Sequence, residues 1–284
     1  MKKLDKKIIL LLLVGTCCIL AIVVTNKRNN WMGENYSDYS IHFSIDDTLE
    51  IFDNLTKNET KYSSIFQNDT LSFCKEMHDT YGAVFSFYVF SEWNGFKLKN
   101  TTTKFRNEFV QNSEWLRFNF HANDSNEDLN SIELTEFEKT YDSSMKSLIR
   151  VVGVESIDKA TRLTRFSGRK AVLEYISKDT KIFYTADDRR NVYYFDQDLS
   201  SIIFNDEYYK DGDFTFIKTD LRLDNTERPF DDMYALVSGG SDNNLEVFTH
   251  EWLLKQRGLN SQSIWKIRDV CKFVKAYHLT FAFN

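Results

Sequence analysis

Short apolar runs alternate with amphipathic stretches from residue 39 to the end of the chain. Ser40–Asp46 alternates, with Ile41, Phe43 and Ile45 on one side, and predicts a strand. Ala83–Phe90 is almost continuously apolar, as a strand buried on both faces would be. Leu116–Ala122, 160–166, Lys181–Thr185, Leu245–Thr249 and 279–283 read as further strands. Helical periods fall between them, near 70–81, 102–114, 133–152, 169–178, 230–237 and 262–278. The clearest runs through Leu134, Phe137, Tyr141, Met145, Leu148 and Val152. Residues 47–69, which hold Asn54, Asn58 and Asn68, read as a loop. Residues 191–223 read as extra strands that include Tyr193-Tyr194-Phe195 and Phe214–Leu223. Strands alternating with helices imply a parallel sheet of βαβ units. Roughly seven or eight such units match the size of a (β/α) barrel. An open doubly wound sheet is the alternative.

The N-terminus differs from all of this. Lys2, Lys3, Lys6 and Lys7 precede an apolar run that starts at Ile8. Its length is at the lower edge of the roughly 17–25 residues that span a bilayer. The lysine bias puts the N-terminus inside, and no small-residue cleavage site follows the run. The expected organisation is a cytoplasmic segment 1–7, a transmembrane signal-anchor 8–25, a linker 26–38 and one exported domain 39–284.

Charge sharpens the picture. The first 28 residues hold six Lys or Arg and one Asp, so the remainder carries 30 positive against 41 negative charges, or −11. No basic patch is left there for nucleic acid. Six Asn-x-Ser/Thr sequences occur, at Asn35, Asn54, Asn58, Asn68, Asn100 and Asn123, and carry little weight in a chain rich in these residues. Cys74 and Cys271, the thiols outside the apolar run, fall on the first and last predicted helices, which a closed barrel would make neighbours.

The candidate chemistry lies at the strand ends, where barrels gather it. Asp46 and Asp47 end the first strand, and His121 ends the third and is followed by Asn123 and Asp124. Arg162 and Arg165 lie in 160–166, Asp187 and Asp188 follow Thr185, and His250 ends the Leu245–Thr249 run. Each apolar strand runs into an ionisable residue. Taken singly, Asp46-Asp47 reads as a helix cap and each histidine as a structural side chain.

Together and in order, these segments resemble the polysaccharide deacetylases, the NodB-homology group of carbohydrate esterases. Ser44-Ile45-Asp46-Asp47 is similar to their Asp-Asp motif, and Phe118-Asn119-Phe120-His121 to the strand ending in a metal-binding histidine. Arg162–Gly168 resembles the arginine segment, Asp187-Asp188 the fourth motif and Val247-Phe248-Thr249-His250 the last. The resemblance implies a distorted (β/α) barrel of seven or eight units that removes N- or O-acetyl groups from a cell-wall or extracellular polysaccharide. It implies a divalent metal, most simply zinc, on Asp47 and His121. Asp46 is then the general base, His250 the general acid, and Arg162 the residue that holds Asp46. The family's second motif has another histidine four residues after the first. Ser125 stands there in this chain, so Asp124 or His250 is the expected third ligand. Thr164 and Thr48 replace the proline and glycine of the third and first motifs. Trp252, Asp188 and Arg165 are the candidate substrate contacts, with Trp93 after Trp252 among the tryptophans. Expected partners are acetylated polysaccharide or peptidoglycan and, through the N-terminal helix, the membrane. The missing histidine raises a different reading, a membrane-tethered glycan-binding protein that has lost catalysis.

Overall fold

The computed structural model describes residues 35–241, 243–254 and 262–284. The predicted membrane segment 8–25 lies outside them. Among the described residues, no helix is long and apolar enough to cross a membrane.

The architecture is α/β, with parallel strands flanked by helices. One sheet runs in the order β10 (Leu221–Arg222), β11 (Asn244–His250), β1 (Ser40–Thr48), β2 (Phe85–Phe90) and β5 (Leu116–Ala122), every pair parallel. A hairpin of β3 (Glu92–Trp93) and β4 (Phe96–Lys97) follows β2. A second sheet holds β6 (Ala160–Thr161), β7 (Ile182–Tyr184), β9 (Phe214–Ile217) and the antiparallel β8 (Tyr208–Asp211). β12 (Thr280–Phe281) pairs with the first residues of β1.

The two sheets are joined at both edges, by chain continuity at one and by hydrogen bonds at the other, so the strands follow a closed path. At one edge a single stretch of chain does the work: β9 pairs with β7, and four residues later β10 pairs with β11. The other edge, between β5 and β6, has only one backbone bridge, at Phe118 and Ile157. Side chains complete it. Asn119 donates to the carbonyls of Asp158 and Ala160 at 2.9 and 3.1 Å, and Thr161 donates to the carbonyl of Phe120.

Strand alternation sorts the residues between two environments. Ile41, Phe43 and Ile45 face outward into the main apolar core beneath the helices. His42, Ser44 and Asp46 face inward, and all three are buried. The enclosed interior is therefore largely polar, with a small apolar cluster of Tyr88, Ala160 and Tyr184 and the Phe248 ring beside Arg162.

Several elements differ from the sequence expectation. Residues 47–69 contain a helix, Glu50–Lys57, rather than loop alone. Its N-cap, Leu49, has no capping side chain; instead the Glu251 carboxylate accepts from the N–H groups of Leu49, Glu50 and Ile51 at 2.7–2.8 Å. Tyr193-Tyr194-Phe195 packs against Phe216 instead of pairing as a strand, and Asp196 then caps a helix at Gln197–Asp206. The strand expected at 160–166 stops after Thr161, and Thr164–Phe166 form a 3-10 turn. Cys74 and Cys271 are free, buried thiols on helices Asp69–Tyr81 and Gln262–Tyr277, which a fork from Arg268 to Glu76 ties together.

Candidate active site

β1 sets the site. Consecutive strand residues point to opposite faces, yet Asp46 and Asp47 line the same cavity. A register shift between Ile45 and Thr48 against β2 marks a bulge, and Asp47 sits in the left-handed region at φ 57°. The bulge turns the second aspartate back toward the first. Such a conformation costs a non-glycine residue about 1–3 kcal/mol, which the surrounding structure must offset.

The cavity, about 220 Å³, opens where the parallel strands end. Asp46, Asp47, His121, Arg162, Arg165 and His250 line it. Asp46 and His250 are direct partners across the β1–β11 pair. His121 Nε2 lies 3.3 Å from Asp47 Oδ1, and His250 Nε2 lies 3.9 Å from Asp47 Oδ2. His121 donates its Nδ1–H to the Arg162 carbonyl, which orients the ring so that Nε2 faces the Asp47 carboxylate. His250 Nδ1 is 2.6 Å from Asp224 Oδ2, and Arg222 Nε donates to the same oxygen at 2.9 Å.

Electrostatics follow from this geometry. Burial alone would raise Asp47, but the bond and charge of His121, the charge of His250 and a bond from Trp252 together hold it below the ordinary carboxylate range. Burial would lower His250, yet the Asp224 hydrogen bond and the charges of Asp46, Asp224 and Asp47 raise it. The imidazole is thus held toward its protonated form at the cavity wall.

Arg162 lies beneath the cavity and is 1% exposed. It donates to Asp46 at 2.9 Å, Ser44 at 2.7 Å, Thr219 at 3.0 Å and Glu246 at 2.8 Å, and it lies over the Phe248 ring at 4.2 Å. Glu246 also meets His42 Nδ1 at 2.5 Å. One oxygen of Asp46 is therefore fixed from below.

The remaining predicted residues fall differently. Arg165 reaches the cavity because it and Phe166 adopt left-handed backbone, at φ 56° and 55°. Asp124 does not reach it: its Oδ1 accepts the Asn126 N–H at 2.7 Å, a local turn that keeps the carboxylate in its own loop. Asp188 is exposed and pairs with Arg190, so it touches the cavity only through that arginine. Trp252 is 46% exposed, 5.8 Å from the His250 ring and bonded to Asp47. Trp93 lines a separate cleft of about 410 Å³. Sequence reasoning missed Asp224 and Glu246. Asp224 ends the Phe214–Leu223 run as the other candidates end theirs, and Glu246 is the one charge inside an otherwise apolar strand.

A catalytic zinc takes three protein ligands. Here Asp47 and His121 meet, Asp124 is turned away, and Ser125 offers its carbonyl to Arg165. Among the described residues, no group of three or more His, Cys, Asp or Glu side chains is placed to hold a metal ion. Of the two expected third ligands, Asp124 is thus turned away, which leaves His250, whose Nε2 faces the cavity 3.9 Å from Asp47.

No protein-family model and no curated protein matches the chain. Its structure is similar to a putative polysaccharide deacetylase from Mycobacterium smegmatis, at 13% identity and a TM-score of 0.48, covering 88% of this chain and 94% of that one. It is similar to a family 4 acetyl xylan esterase from Clostridium thermocellum, solved with a cobalt ion, at 8% identity and 0.47 over 85% and 86%. It is also similar to a CE4 family pseudoenzyme from Bacillus anthracis, at 8% identity and 0.44 over 86% of this chain and 63% of that one.

Proposed function

We propose that the cavity binds an acetyl substituent of an extracellular polysaccharide, peptidoglycan included, and hydrolyses it on a distorted deacetylase-type barrel. The observation that supports this most is the pairing of Asp46 with His250 across adjacent strand ends, the one fixed by Arg162 and the other by Asp224. Water attacks the acyl carbon and gives its proton to Asp46. The C–N or C–O bond then breaks, His250 Nε2–H protonates the departing amine or hydroxyl, and acetate leaves. No step here is routed through a metal; Asp47, His121 and His250 are the residues that would hold one.

The same donor set favours a second reading, in which the site binds acetylated glycan without turnover. One experiment separates the two. Full-length protein in mild detergent is incubated with N-acetylglucosamine oligomers and O-acetylated xylan, with and without added zinc or cobalt, and acetate is measured. Release that His250→Ala abolishes supports hydrolysis. Binding by calorimetry with no acetate under any condition supports the second reading. Absence of both ends the carbohydrate proposal. Residues 8–25 would tether the domain outside the cell membrane, a proposal that rests on the sequence pattern alone.

A further inference from the structure

The cavity's charge does not match that of the chain. The protein carries −6 overall, yet Arg162, Arg165, Arg190 and Arg222 line the cavity with only Asp46 and Asp47 as lining carboxylates. Arg162 is committed to Asp46 and Glu246. The other three sit nearer the opening. Arg190 lies over the Phe166 ring at 5.2 Å and Arg222 over the Phe248 ring at 5.3 Å. Those two rings meet edge-on at 6.2 Å, so one aromatic floor sets both guanidinium groups beside the same space. Arg165 is brought there by two successive left-handed residues and gives one N–H to the Ser125 carbonyl. Asp188 and Asp224 hold Arg190 and Arg222 through carboxylates that do not line the cavity. A neutral acetylated sugar has no use for such a wall. Guanidinium forks suit a carboxylate, sulfate or phosphate.

We propose that the glycan bound at this site carries an anionic substituent next to its acetyl group, recognised by Arg165, Arg190 and Arg222. This rests on the acetyl-glycan reading above and goes beyond it.

The test is binding of full-length protein in detergent to four oligosaccharides: acetylated polygalacturonate, the same chain without acetyl groups, neutral acetylated xylan, and an acetylated sulfated glycan. Acetylated polygalacturonate or the sulfated glycan should bind at least about tenfold more tightly than acetylated xylan, the ratio falling as salt rises. The tighter of the two identifies the anionic group. Arg165→Gln and Arg190→Gln should each weaken anionic binding about tenfold more than they weaken xylan binding. Arg190→Lys, which keeps the charge, should recover part of the loss and so separates recognition from misfolding. Equal binding of the xylan and anionic glycans, insensitive to both Gln variants, overturns the proposal and leaves the acetyl reading intact. Equal binding of polygalacturonate with and without acetyl overturns the acetyl reading instead. Binding to none of the four overturns both.

Discussion

The β1–β11 pair carries two rungs of imidazole and carboxylate on one inward face, four residues apart. The lower rung joins His42 to Glu246, and the upper sets Asp46 beside His250. Both lower residues are at most 2% exposed, and their remaining polar atoms are spoken for: His42 Nε2 meets Ser86 at 2.8 Å, and Glu246 Oε1 takes Ser44 and Arg162. At the upper rung, His250 uses Nδ1 on Asp224 and turns Nε2 to a cavity. The same two functional groups thus serve different ends. A buried rung with every bond made holds Arg162, and through it Asp46, in one geometry. An imidazole with one nitrogen anchored and the other facing open space can move a proton. A place on the cavity wall, not residue type, separates chemistry from scaffold.

The largest effect should come from the lower rung. Glu246→Ala leaves Arg162 and His42 buried without their shared carboxylate, and should cost about 3–5 kcal/mol in urea unfolding followed by tryptophan fluorescence. A loss below about 1 kcal/mol would erase the distinction between the rungs. Asp224→Ala should show the reverse pattern. Acetate release should fall by about 10²-fold or more, while stability drops by only about 1–2 kcal/mol.

Titration sharpens the comparison. The folded pKa of His250 is raised above 6.5, so its stabilising contribution is fully present below that pH and is lost as pH rises through the folded value. Asp224 is lowered from 3.8: burial would raise it, but the His250 bond and charge, Thr249 and Arg222 outweigh that. Its contribution is present above that pH and is lost as pH falls through the folded value. The pair therefore stabilises most between these limits. Acetate release should decline on the alkaline side of the raised His250 value, and Asp224→Asn should move that limb to lower pH. An unmoved limb would remove His250 from the acid role.

Smaller effects mark the edges of the site. Asn119→Ala removes the bonds to the Asp158 and Ala160 carbonyls at the β5–β6 edge, and should cost about 1–3 kcal/mol by thermal unfolding. Trp252→Ala removes one bond to Asp47 from an exposed ring, and should change KM by less than about tenfold with kcat nearly held.

Much of this was legible because periodicity is local. The alternation of Ile41, Phe43 and Ile45, the almost continuous apolar run at Ala83–Phe90 and the stripe from Leu134 to Val152 each report the face a residue buries, and these elements stand within a few residues of expectation. The rule that an apolar strand runs into an ionisable residue located Asp46, Asp47, His121 and His250, because parallel strands bring their ends to one rim. Helix Glu50–Lys57 was hidden because its N–H groups are capped by Glu251, about two hundred residues away in sequence. Asp124 sits near His121 in sequence, but a turn holds it in its own loop. Asp224 and Glu246 owe their partners to strand register across the interior, as do the arginines on the shared floor of Phe166 and Phe248. Period and composition decide which face of an element is buried. Which groups then meet across that buried space depends on register, bulges and closure, and only the folded chain sets those.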